Sequence, residues 1–228
     1  MSLNKTLAKT AKKMKFRQGQ AFTRRVMWKD MANRIDSIFK EISAYPDTDE
    51  LGGLQISHLP LPVPFIESCE IPYYERTNSI HISAVKRNLK TTAQNEKSRK
   101  YEPAYEKNAQ LWYSQAPMGQ VVVLVAPYKS NAGEVHEKEF IIGRYSEPSR
   151  IGTKEIEAHF RKFFRYCSCS SQTGTSNFPD FVYRVYLKYL DFRFRPSFHA
   201  AILRGVERIG VFTFSALAAW YAVTELFG

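Results

Sequence analysis

The chain has 228 residues, 44% hydrophobic and 24% charged, which suits one folded domain with an appendage and excludes a wholly disordered chain. Its three cysteines, Cys69, Cys167 and Cys169, are too few for a disulfide framework and point to a reducing compartment. The net charge of +11 gathers at the ends: residues 1–29 carry many lysines and arginines and no acid, residues 30–180 are close to neutral, and residues 181–208 are basic again. A neutral middle argues against a core that is itself a nucleic-acid surface, while the basic ends suit anionic lipid or nucleic acid.

No apolar stretch follows Met1, so no signal peptide is expected. Residues 3–20 read as a Lys-rich, weakly amphipathic arm, frayed helix or disordered, with apolar spots at Leu3, Leu7, Ala11 and Met14. Trp28, Met31, Ile35, Ile38, Phe39 and Ile42 then recur at helical spacing and predict a helix from about Thr23 to Ala44, ended by Tyr45-Pro46-Asp47. The alternating prolines Pro60, Pro62 and Pro64 predict an extended or polyproline-like segment. Ser79–Val85 alternates like a strand, and residues 86–108 read as a polar loop or exposed helix. The β-branched run Gln120–Ala126 and the segment Glu139–Tyr145 predict two strands paired as a hairpin. A short helix is expected from Thr153, with Ile156, Phe160, Phe163 and Phe164 on one face, and a flexible linker over Ser168–Asn177. Phe181–Arg195, dense in Tyr, Phe and Arg, fits an interfacial helix against anionic lipid or an element packed in the domain.

From Ile209 to Phe227 the chain runs for nineteen residues with Glu225 as its one ionisable group. A bilayer core needs about 20 apolar residues, so this reads as a single membrane-spanning helix, with Arg204 and Arg208 marking a cytoplasmic entry. Ser215, Ala218, Ala219, Ala222 and Glu225 share one helical stripe, suited to close packing in an oligomer and to a ring of carboxylates at a pore mouth. Glu225 marking the outer membrane surface is the plainer reading of the same residue.

The basic side chains Lys12, Lys13, Lys15, Arg17, Arg24 and Arg25, with Arg184, Lys188, Arg204 and Arg208, are the candidate contacts for an anionic ligand or lipid. Cys167-Ser-Cys169 offers two soft ligands without a second pair, so no metal is expected. No nucleophile–base spacing, phosphate loop or dinucleotide fingerprint is present, so neither enzymatic activity nor a cofactor is expected.

The fold class these patterns predict is α+β: an N-terminal amphipathic helix, a small mostly antiparallel sheet and a C-terminal single transmembrane helix. The expected divisions are an arm at 1–22, a soluble domain at 23–167, a juxtamembrane segment at 168–197 and the span at 198–228. A soluble sensing domain on a minimal membrane segment resembles bacterial antiphage membrane effectors in architecture. That resemblance implies a non-enzymatic, oligomeric effector whose cytoplasmic domain senses a nucleotide or oligonucleotide and alters membrane permeability, as an ion channel would. Two other readings stand beside it: a tail-anchored tether recruiting protein or nucleic acid through the basic N-terminus, and a soluble basic oligomer with its C-terminal helices in the core.

Overall fold

The computed structural model describes residues 3–59, 72, 74–94, 100–132, 137–173 and 177–194. The predicted span at 209–227, the Pro60–Pro64 segment and Cys69 lie outside the described residues. Among the described residues, no helix is long and apolar enough to cross a membrane.

Helix α1 (Leu3–Val26) and helix α2 (Trp28–Ser43) follow one another through Met27, whose N–H still donates to the Thr23 carbonyl at 3.1 Å. The expected single helix from Thr23 is therefore two, and the first begins twenty residues earlier. Its Ala, Lys, Gln and Leu are strong helix formers, and the stretch contains no proline. Only Ala21 of α1 is buried, whereas α2 buries the stripe Trp28, Met31, Ala32, Ile35, Ile38 and Phe39.

A 3-10 turn, Pro46–Leu51, leads into the sheet through Gly52, which sits at φ +92°. A Cβ at Gly52 would lie 2.5 Å from the Lys86 carbonyl carbon, so the position demands glycine on two grounds. Gly52→Ala is expected to cost about 2–4 kcal/mol, from left-handed strain plus displacement of a neighbouring strand, read as a lower urea midpoint.

The sheet is antiparallel throughout. Strands β1 (Leu54–Leu59), β2 (Ser79–Gln94), β3 (Tyr101–Gln115), β4 (Val121–Ala126) and β6 (Phe140–Tyr145) lie in the order β1-β2-β3-β4-β6, and the two-residue β5 (Lys129–Ser130) pairs with β3. The expected β4–β6 pairing is present, with a register shift between Val123 and Leu124. Within the stretch expected as loop or helix, the described residues 86–94 and 101–108 are strand. They hold the outer half of β2 and half of β3, paired as a ribbon that runs past the end of β4.

Helix α3 (Thr153–Ser170) packs across β3 and β4, with α2 beside it. Glu155 caps it by accepting the Gly152 N–H at 3.1 Å. Ile156, Phe160, Phe163 and Tyr166 meet Ile80, Ile82, Leu111, Tyr113, Val123 and Val125 in one core. The expected linker from Ser168 is instead helical to Ser170 and then docked. The fully buried Glu106 carboxylate accepts the Ser171 hydroxyl at 2.9 Å and the Gln172 N–H, while Arg87 approaches it at 3.5 Å. A carboxylate from β3 thus fixes a Ser/Thr-rich segment that local composition alone assigns to a turn.

Candidate membrane-facing surface

Helix α4 (Phe178–Leu190) opens with Pro179 and Asp180 in its first turn, both favourable there. Phe181–Arg195 thereby resolves as helix over its first ten residues. Tyr183 and Leu187 point into the core, and the Tyr183 hydroxyl donates to the Lys162 carbonyl at 2.9 Å. The opposite side is apolar as well. Phe178, Phe181, Val182, Tyr186 and Tyr189 are exposed, Phe178 by 77% and Phe181 by 63%. Phe178, Val182, Val185 and Tyr189 recur at i, i+4, i+7 and i+11, so they form a continuous stripe. A surface helix ordinarily turns polar residues outward, so an outward aromatic stripe marks an interaction face.

Basic groups rim this face. Lys188 is exposed on α4, and Arg161, Lys162 and Arg165 come from α3. With Val182, Tyr183 and Tyr186 these three line a hollow of about 490 Å³. The Arg165 guanidinium lies 4.2 Å from the Tyr183 ring centroid, and burial lowers the pKa of Lys162. Arg184 is turned inward, donating to the Cys169 carbonyl and lying 3.9 Å from Glu137.

The chain after α4 is tied to the sheet edge. Asp191, with a fully buried side chain, accepts the Ile141 N–H at 2.8 Å, the Arg193 N–H at 2.9 Å and the Arg193 Nη2 at 2.7 Å. Arg193 also donates to the Glu139 side chain at 3.1 Å and its carbonyl at 2.7 Å. Burial alone would raise the Asp191 carboxyl, but the Arg193 and backbone donors outweigh it and hold it below the usual range. Glu139 is lowered too, by its own backbone N–H and then by Arg193 against the opposing effect of burial. Fourteen residues separate Phe194 from Ile209. That distance is about 21 Å as helix and about 50 Å fully extended, so α4 lies within reach of any surface that the apolar run enters.

The basic arm is divided. Lys12, Lys13, Lys15 and Arg17 are exposed on α1. Lys12 and Lys13 share a side with Lys5 and Lys9, opposite Leu3, Leu7 and Met14. Arg25 instead anchors the helix base, donating to the Tyr74 carbonyl at 2.6 Å and the Pro117 carbonyl at 2.8 Å, and Arg24 packs by Gly119. Arg204, Arg208, Ser215, Ala218, Ala219, Ala222 and Glu225 lie outside the described residues.

The nucleophilic and titratable groups of the core are enclosed. Burial raises Cys167 well above its ordinary value; burial and Asp180, 3.2 Å from its sulfur, raise Cys169 to about 11. Both are thiols at neutral pH, and the thiolate is the reactive and metal-binding form. Among the described residues, no three His, Cys, Asp or Glu side chains converge as metal ligands. His159 lies between two tyrosines, with Nδ1 at 3.2 Å from the Tyr113 hydroxyl and Nε2 at 2.9 Å from that of Tyr145. Burial, helped by Lys162, pushes it down to about 3.

Lys188 and Arg184 stand out in the sequence as candidate contacts, whereas Phe178, Val182 and the basic residues of α3 do not. A second apolar period along 178–189, out of phase with Tyr183 and Leu187, was the available signal. No protein-family model matches the chain, and no curated protein or solved structure matches it.

Proposed function

We propose that this chain is a membrane-anchored, non-enzymatic α+β protein. In this reading the apolar run 209–227 spans the bilayer, the outward face of α4 rests in the interface on the cytoplasmic side, and α1 offers its exposed lysines to a polyanionic partner. The observation that carries it is the aromatic stripe of α4, rimmed by basic side chains and ending nineteen residues before an apolar run of spanning length. The enclosure of Cys167, Cys169 and His159 supports a role without covalent or acid–base chemistry. The exposure of nearly all of α1 favours the tether form, because a cationic helix with so little intramolecular packing suits an external ligand.

The oligomeric, permeability-altering form draws on the stripe Ser215, Ala218, Ala219, Ala222 and Glu225. It predicts that Glu225→Gln changes membrane conductance.

Membrane fractions of cells making the full chain provide the test of anchoring. Retention in the pellet after carbonate, release by detergent, and loss of retention on deleting residues 198–228 are the expected results. A full chain that leaves the membrane in carbonate, or stays monodisperse in plain buffer, would overturn the anchor.

A further inference from the structure

The β2–β3–β5 ribbon holds three lysines in one cross-strand row. Lys86 pairs in register with Lys107, and Lys107 pairs in register with Lys129. Residues directly opposite in antiparallel strands share a face and stand about 5 Å apart at Cα, so three ammonium stems rise side by side. The adjacent row, Arg87, Glu106 and Ser130, faces the docked 171–173 segment, where Arg87 donates to Ser171 and Ser130 to Gln172. The lysine row therefore takes the other, solvent-facing side, and all three residues are exposed. Among the described residues, no carboxylate forms an ion pair with any of them.

Two features hold the row together against its own repulsion. The Lys86 and Lys107 ammonium groups lie 4.3 and 5.6 Å from the centroid of the same Tyr105 ring, which draws both toward one aromatic side chain. Asn131 secures β5: its N–H donates to the Tyr105 carbonyl at 3.3 Å, its side-chain oxygen accepts the Tyr105 N–H at 2.8 Å, and its amide nitrogen donates to the Pro103 carbonyl at 3.1 Å. These bonds keep Lys129 beside Lys107 although β5 is only two residues long. Like charges facing one another across strands destabilise a sheet, and a multivalent anion seated among them reverses the sign of that contribution.

We propose that Lys86, Lys107 and Lys129, abreast in one cross-strand row with the first two drawn to Tyr105, form a binding site for a phosphate group carrying two or more negative charges. This site stands apart from the membrane anchor and holds whether or not residues 209–227 span a bilayer. Lys107 is the central contact, since it neighbours both other lysines.

The test uses the full chain in non-ionic detergent at low salt, with inorganic pyrophosphate as the soluble probe and micelles with or without phosphatidic acid as the lipid probe. Wild type should gain thermal stability with at least one probe. A saturable response to pyrophosphate marks a soluble ligand, and a response confined to phosphatidic acid marks a headgroup. Lys107→Gln should weaken binding by about tenfold or more, the loss of one charge-assisted contact, without lowering the melting temperature in anion-free buffer. Lys40→Gln, an exposed lysine of α2, should match wild type in both. The site is refuted if neither probe stabilises wild type, or if Lys107→Gln and Lys40→Gln respond alike.

Discussion

Replacing Asp191 with alanine should lower the unfolding free energy by about 2–4 kcal/mol, seen as a reduced urea midpoint at unchanged m-value. The carboxylate is fully buried and collects donors from Ile141 and Arg193. Its removal strands the Ile141 N–H on edge strand β6 and leaves Arg193 with Glu139 as its remaining carboxylate. Arg193 is 37% exposed, so water recovers part of its loss and the expected cost stays below that of breaking a fully buried pair. Asp191→Asn keeps the shape but not the charge and should fall between. Amide exchange at Ile141 should accelerate in both variants, because its N–H donates directly to this carboxylate. Because the folded carboxyl lies below its unfolded value, its stabilisation is complete above about pH 4 and drains as pH falls through the folded value. A loss under about 0.5 kcal/mol for the alanine variant would show that α4 is held in place without the Asp191 carboxylate.

What the sequence made legible follows from where apolar side chains meet. Helix α2 was readable because Trp28, Met31, Ile35, Ile38 and Phe39 face one core, and β4 because VVVLVA is buried almost continuously. The same logic hid the ribbon. Over residues 86–94 and 101–108 the strands have run past the helices, so most of their side chains are exposed and no apolar alternation survives. Pro103 lowered the strand signal further, yet it is tolerated in the outer part of β3 opposite Thr92, beside a bulge between Asn88 and Thr92. Long-range polar contacts were also out of reach. Glu106 binds residues 65 and 66 positions away, and nothing local to Ser171 or Gln172 announces a buried acceptor.

The candidate surfaces divide the same way. The amphipathic basic arm was visible as composition, and the structure adds that Lys12 and Lys13 are presented outward while Arg25 is consumed at the base. The two-sided apolarity of α4 needed the fold, because only packing shows that Tyr183 and Leu187 already fill the inward side. The lysine row depends on register, and no spacing along one strand reveals that Lys86, Lys107 and Lys129 lie abreast.

Lowering the pH from 7 to 4 should remove about 3 kcal/mol of stability through His159 alone, a large part of the margin of an ordinary domain. The imidazole is 2% exposed, and its pKa is pushed down to about 3, chiefly by burial and secondarily by Lys162. In its neutral form one ring nitrogen donates and the other accepts, which satisfies both tyrosine oxygens around it. Protonation would make both nitrogens donors and place a charge in the core, so the folded state resists it. The unfolded chain takes up that proton near pH 6.5 and the folded chain does not, so the unfolded state binds more protons throughout the interval between. Stability therefore falls as pH drops through 6.5 and the loss levels off near pH 3. His159→Gln retains a donor and an acceptor but does not titrate. It should cost stability at pH 7 yet flatten the dependence between pH 7 and pH 5. In that window Asp191 and Glu139, both held low, are still ionised in either state. Urea titrations of both proteins at each pH separate the two contributions. Parallel curves for wild type and His159→Gln above pH 5 would mean that the imidazole is not the group whose burial makes this fold sensitive to acid.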